Sequence, residues 1–376
     1  MTTIEWCRNA DGSQGVTWNP IRARHRETGK RGWFCVHASE GCRFCYSEWQ
    51  NMKGGDSGGN GLAYAAQNLA KVEVYLDEKT LLAPLSWKKP RTIFVCSMTD
   101  LFGEFVPDAW IDRIFAVMAL TPHTFQVLTK RSERMRDYCK TLGRHHSVDR
   151  VSVAIKAIVE AGHAAADVGS WYTLHDGGAF FDNIWLGVSA ERQQEADERI
   201  PHLLQTPAAI RFVSCEPLLG PIALTEIRGR NANGHEWMFD ALRPDVSPDD
   251  GAVSLDWIIC GGESGKDARP MHPDWARSLR DQCVAAGVPF FFKQWGEWAP
   301  GECADGPQTR TERVAYLFDN NWDFGRLTPR ASEETHRDDA PDVFRLGNKK
   351  AGRHLDGRIH DAMPARASAS RQGEAA

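Results

Sequence analysis

The segment Cys35-Val-His-Ala-Ser-Glu-Gly-Cys42-Arg-Phe-Cys45-Tyr puts three thiols on one short stretch in a C-x6-C-x2-C arrangement. Thiolates spaced in this way can ligate three irons of a [4Fe–4S] cubane and leave the fourth iron open. An open iron is what radical chemistry with S-adenosylmethionine requires, because the amino and carboxylate groups of the methionine moiety chelate it before the sulfonium is cleaved. The protein's part is placement and exclusion of water. Phe44, just before the third cysteine, is placed to pack near an adenine. Zinc is the competing reading: the three thiolates with His37 or Cys7 would make a closed tetrahedral structural site.

Further candidates stand at the ends of short apolar runs. Cys96, Cys215 and Cys260 each end such a run, and a thiol facing a barrel mouth could donate a hydrogen atom to a substrate radical, although buried free cysteine is commonly inert. Polar groups recur after the same runs: Ser97 and Asp100, Thr129 and Lys130, Ser189 and Glu191, Glu216, Glu263 and Ser264, Lys293 and Gln294. Parallel barrels build their active sites from the C-terminal ends of their strands. Taken singly, each residue is also what a strand running into a polar loop would show.

The elements that must position these groups are legible from hydropathy. Trp33–Val36, Thr92–Cys96, Phe125–Leu128, Ile184–Val188, Ile210–Val213, Trp257–Cys260 and Phe290–Phe292 read as strands buried on both faces. Pro107–Leu120, Glu133–Leu142, Glu191–Leu204 and Pro273–Ala286 carry apolar residues at helical spacing between them, with Pro107 and Pro273 near first turns. The alternation predicts an α/β fold, a parallel (βα) barrel of the TIM type, partial or complete. Residues 1–303 would form it, with insertions at about 143–182 and 225–254. Residues 304–364 would form a C-terminal extension packed on the barrel, and 365–376 a disordered tail.

A chain of 376 residues, 42% of them hydrophobic, can bury a core of that size. No stretch approaches the roughly 18–20 apolar residues of a membrane span, and no signal pattern opens the chain, so a cytoplasmic protein without a membrane partner is expected. In that compartment the ten cysteines are better read as ligands than as disulfides. The net charge of −5 excludes a protein that coats nucleic acid along a broad basic face, but leaves room for a local site. Arg22, Arg24, Arg26, Lys30 and Arg31 precede the cysteines and read as a basic, solvated loop. With Lys130 and Lys293 they are the candidates for phosphate contacts.

The cysteine loop, with Ile4-Glu5-Trp6, Thr17-Trp18-Asn19-Pro20, Ser97-Met98-Thr99-Asp100-Leu101-Phe102, Leu128-Thr129-Lys130-Arg131 and Trp185-Leu186-Gly187-Val188-Ser189, resembles a phage and bacterial family of three-cysteine-motif proteins of unassigned function. That family is similar to the radical S-adenosylmethionine superfamily, near spore photoproduct lyase. The likeness continues through Ser214-Cys215-Glu216-Pro217, Gly261-Gly262-Glu263-Ser264, Ala268-Arg269-Pro270-Met271, Phe292-Lys293-Gln294-Trp295-Gly296 and Leu355-Asp356-Gly357.

The resemblance implies a [4Fe–4S] cluster on Cys35, Cys42 and Cys45, S-adenosyl-L-methionine as second cofactor, and a 5′-deoxyadenosyl radical. Phe44, Ser97, Asp100, Ser189 and Glu191 are its candidates for cofactor contacts. Glu216 and Lys293, with Cys96, Cys215 and Cys260 as hydrogen donors, are its catalytic candidates. It implies an electron donor such as flavodoxin or ferredoxin, a partner protein encoded by a neighbouring gene, and a DNA or nucleotide substrate, with repair or rearrangement of a modified thymine as the leading reaction. The Gly-Gly-Glu at 261–263 lies too late in the chain for the superfamily's amino-group ligand. The alternative from another class is a zinc-stabilised nucleic-acid-binding phage accessory protein without catalysis.

Overall fold

A computed structural model of the chain describes residues 4–54, 58–142, 150–164, 181–230, 234–243, 253–303, 311–328 and 340–364. The fold is mixed α/β around a seven-stranded sheet. In chain order its strands are β1 (Val16–Trp18), β5 (Thr92–Val95), β6 (Thr124–Thr129), β7 (Ile184–Ser189), β8 (Ile210–Cys215), β11 (Trp257–Gly261) and β12 (Phe290–Gln294), which is also their spatial order. The pairs β1–β5, β5–β6, β6–β7 and β11–β12 run parallel. This order has two ends, as in a partial barrel, and no closure between β1 and β12 is formed among the described residues.

Helices join successive strands where the sequence predicts them. Asp108–Ala119 (α3) lies between β5 and β6, Gln193–Leu204 (α6) between β7 and β8, and Pro273–Ala286 (α7) between β11 and β12. The last begins with Pro273 in its first turn and stops at Gly287, whose left-handed φ of 71° closes the helix at little steric cost. Ser132–Thr141 (α4) follows β6, and Arg150–Glu160 (α5) falls inside the predicted insertion at 143–182, the rest of which lies mostly outside the described residues.

The chain clusters into two compact units. The first runs through Val188 and includes Arg199–Phe212; the second comprises Ser189–Glu198 and Val213–Met363. In the first unit Phe115, Phe125, Val127, Leu186 and Phe212 are fully buried, each worth about 1.5–3 kcal/mol over an exposed position. In the second, Trp298–Ala299 (β13), Glu312–Phe318 (β14), Asn321–Leu327 (β15) and Val343–Arg345 (β16) form an antiparallel sheet. Phe292 N donates to the His360 carbonyl and Trp257 Nε1 to that of Ala362, at 2.8 and 2.9 Å, so the C-terminal extension is fastened to β12 and β11. Residues 365–376, read as a disordered tail, lie outside the described residues.

Two expectations change. Trp33–Val36 is not a strand; the first parallel strand is β1, which overlaps the Thr17-Trp18-Asn19-Pro20 stretch at Thr17 and Trp18. The basic segment is not merely a solvated loop: Ile21–His25 (β2) and Arg31–Gly32 (β3) are an antiparallel hairpin, and β2 also pairs with Val72–Leu76 (β4). β-branched Ile21, Val72 and Val74 with small Ala23 give the hairpin an apolar face, and Phe34 packs on it. That face outweighs the repulsion between its arginines, because Arg24 sits 3.6 Å from Glu73 and Arg22 lies 4.4 Å over the Trp33 ring.

Candidate metal centre at the cysteine loop

The segment before Cys35 is extended but takes its hydrogen bonds from side chains instead of a neighbouring strand. Asn51, on helix Tyr46–Lys53 (α1), accepts from Trp33 N at 2.9 Å, and Asn60 donates to the Trp33 carbonyl at 2.8 Å. Thr99 Oγ1 donates to the Phe34 carbonyl, and Arg131 to that of Val36. Trp33 N and the carbonyls of Trp33, Phe34 and Val36 therefore find partners without a neighbouring strand.

Asn51 is the centre of this arrangement. Fully buried, it also receives Asn60 N at 3.2 Å and donates to Asn60 Oδ1 and the Leu62 carbonyl, both at 2.8 Å. Gly32 and Gly59 make the packing possible, since a Cβ on either would come within 2.4 Å of Asn51 atoms. Replacing Asn51 by leucine strands these partners, each unpaired buried group costing about 1–3 kcal/mol. We expect Asn51→Leu to lower the unfolding free energy in urea by at least about 3 kcal/mol.

From this anchored segment the chain carries the three thiols to the region following β5 and β6. Cys42 accepts a hydrogen bond from Ala38 N at 3.4 Å, and Cys45 is the N-terminal cap of α1. Burial pushes the Cys35 thiol up, with the nearby charge of Asp100 next in effect and smaller contributions from Cys45 and Cys42. The Cys45 thiol is also raised by burial, and Cys42 adds to it, while Lys130 works in the opposite sense. Cys35 thus senses both other cysteines of the loop and Arg131, and Cys45 senses Cys42 and Lys130. Such thiols stay protonated unless a cation compensates the thiolate charge.

Arg131 is a residue the sequence reading did not single out. Its guanidinium lies 3.3 Å from Asp100 and donates to the Val36 carbonyl, so it ties the cysteine loop to the loop after β5. Asp100, read as a cofactor contact, has both oxygens occupied within the protein. Oδ1 accepts from Thr129 Oγ1 at 2.6 Å and Phe102 N at 3.0 Å, and Oδ2 accepts from Lys130 N at 3.0 Å and from Arg131. Its role in this structure is to order the loop. Ser97 is bound to Asn19, whose Oδ1 also accepts from Met98 N at 2.9 Å, and its carbonyl takes the Tyr46 hydroxyl. Phe44 lies beside the cysteines, with the Arg43 guanidinium 5.4 Å from its ring centroid.

Of the further donors considered for zinc, Cys7 is turned away from the cysteine loop. Cys7 donates to the Thr92 carbonyl, at the start of β5, whereas the cysteine loop lies beyond its other end; burial pushes the Cys7 thiol up to about 12. His37 Nε2 is engaged with Glu48 at 2.9 Å. Among the described residues no three His, Cys, Asp or Glu side chains converge on one metal ion. A tetrahedral zinc site needs such convergence. A cubane likewise needs its three thiolates to face one cluster.

The other predicted residues fall into two groups. Cys96 is buried, sits at φ 54° directly after β5, and its thiol is raised by burial and then by Asp100 and Cys35, which places it beside the metal candidate. A non-glycine residue held at positive φ marks local strain of the kind found at functional sites. In the second unit Cys215 and Cys260 are fully buried, and their thiols, raised by burial, also sense Cys283 on α7. This environment is that of core thiols beneath a helix.

Ser189, Glu191, Glu216 and Lys293 also belong to the second unit. Ser189 and Glu191 are buried, and the Glu191 carbonyl accepts from Leu219 N at 2.8 Å. The structure brings Glu216 and Lys293 together: Nζ lies 3.0 Å from Oε1, while Ser214 Oγ donates to Oε2 at 3.0 Å. Between their strands runs β11, and its Gly261 clears the way, since a Cβ there would lie 2.6 Å from Glu216 Oε1. Lys293 is thereby committed to a carboxylate and is a weaker candidate for phosphate. Glu263 of the Gly-Gly-Glu is held by Arg269 through three hydrogen bonds of 2.7–2.9 Å.

Gln126 was also missed. Both its amide atoms are buried without a partner, on β6 in register with Phe94 and Trp185. A lone amide in the run Thr-Phe-Gln-Val-Leu-Thr was the available signal. Compared with known proteins, residues 1–364 match the family described as a protein of unknown function, DUF5131. No curated protein and no solved structure matches the chain.

Proposed function

We propose that this chain, which belongs to the DUF5131 family, is a [4Fe–4S] enzyme that acts with S-adenosylmethionine on a nucleic acid or a modified nucleobase. The observation that carries the proposal is the gathering of Cys35, Cys42 and Cys45 after β5 and β6 while Cys7 and His37 are engaged elsewhere. Three ligands without a fourth suit a cubane with one open iron. When bound, such a cluster supplies the electron that cleaves S-adenosylmethionine to methionine and a 5′-deoxyadenosyl radical.

The chain's own residues do the positioning. Lys130 and Arg131 offset the negative charge of three thiolates, and the Asp100–Arg131–Val36 linkage fixes where the loop presents them. Cys96 is buried and Cys35 half-buried, which limits the water that a carbon radical must avoid. Cys96 is the favoured hydrogen donor by its nearness to Cys35. Repair or rearrangement of a modified thymine, electrons from a flavodoxin or ferredoxin, and a partner protein from a neighbouring gene remain parts of this proposal carried by resemblance alone.

The test is anaerobic purification followed by incubation with dithionite and S-adenosylmethionine. A brown protein that bleaches on reduction and releases 5′-deoxyadenosine is expected. A colourless protein holding one zinc per chain would sink the proposal and leave the non-catalytic accessory reading. A cluster that never yields 5′-deoxyadenosine would reduce the function to structure or sensing.

A further inference from the structure

Helix α1 begins at the third cysteine and leaves three large apolar side chains in solvent. Trp49 is 63% exposed, Met52 52% and Tyr46 49%. On a helix of eight residues this is an unusual concentration, and core packing does not account for it, because the helix packs inward through Ser47 and Asn51. Two cations border the exposed face, and one of them, Arg43, lies 3.9 Å from Glu40. Lys53 Nζ lies 3.4 Å from the Trp49 ring centroid, and exposed Arg43 precedes the helix.

We propose that this face binds a single-stranded segment of nucleic acid. An exposed indole offers a π-face to an unstacked base, and flanking cations meet the phosphates. A duplex keeps its bases stacked away from such a ring, and a chain of net charge −5 has no broad basic face for one. The Tyr46 hydroxyl, bound to the Ser97 carbonyl, joins this platform to the loop after β5, so a strand stacked on it passes beside the cysteines. The inference rests on the proposed nucleic-acid substrate but not on the cluster.

The experiment measures fluorescence anisotropy of a labelled 20-residue thymidine oligonucleotide titrated with the full chain, with iron counted in the same samples. Trp49→Ala is expected to weaken binding by about 5- to 100-fold with iron unchanged, and Trp49→Phe, which keeps a ring, to restore most of it. Lys53→Gln is expected to reduce the slope of log affinity against log salt by about 0.7. Wild-type protein that carries iron yet ignores the oligonucleotide overturns this inference and leaves the cluster reading standing. Binding that Trp49→Ala and Lys53→Gln leave unchanged overturns it as well, as does a face that engages an acidic protein and no oligonucleotide. Oligonucleotide binding with the expected variant effects, in protein that takes up no iron, supports the face and overturns the cluster.

Discussion

Alanine at any one of Cys35, Cys42 or Cys45 is expected to leave a folded protein that cannot hold its iron. Each thiolate in a cubane carries its own iron, so losing one removes a bond that no neighbour replaces. Cys7 is bound at the other end of β5, and His37 is paired with Glu48. The expected loss in bound iron is at least about tenfold, larger than the effect of removing a supporting group. It is read as iron and sulfide per chain and as absorbance near about 400 nm. Far-ultraviolet dichroism should barely move, because the segment is held by Asn51, Asn60, Thr99 and Arg131 and not by the thiols. A single alanine variant that kept full iron would remove that cysteine from the ligand set. If Cys7→Ala emptied the site as completely, a four-ligand zinc centre would be the better account.

The second large effect is expected at Arg131. Its side chain is 9% exposed and that of Asp100 is 7%, so the pair is almost wholly out of water. Removing one member of a buried pair leaves the other charge uncompensated, at a cost of about 3–5 kcal/mol. Arg131→Met should lower the unfolding free energy by that amount, since it also strands the Val36 carbonyl. Because the same guanidinium holds the loop that carries Cys35, iron affinity in competition with a chelator should fall by roughly 10- to 100-fold. Adding Asp100→Asn to Arg131→Met should recover part of the stability, because the orphaned carboxylate is gone, but little of the iron affinity. An Arg131→Met protein with unchanged unfolding and unchanged iron would show that the contact bears neither load.

Most of the parallel strands could be read directly because continuous apolar runs such as Ile184–Val188 and Trp257–Cys260 have one comfortable place, between helices on both faces of a sheet. Trp33–Val36 has the same appearance and is not a strand. Its backbone finds partners in Asn51, Asn60, Thr99 and Arg131, up to 95 positions away, and hydropathy carries no record of them. The internal partners of Asp100 are illegible for a related reason. A carboxylate after a strand signals an available acceptor, but whether Thr129, Lys130 and Arg131 consume it depends on how β6 lies beside β5.

The sequence by itself determined that three thiols share one short loop, that parallel strands alternate with helices, and that no apolar segment is long enough to span a bilayer, because composition, spacing and periodicity are local properties. The tertiary structure decided which thiols stand together and which lie beneath a helix. It also decided that Glu216 reaches Lys293 past Gly261, and that Trp49 is left exposed beside Lys53. Those outcomes are contacts between residues distant in the chain, and a side chain's partners are chosen by the packing of whole elements and not by its neighbours in sequence.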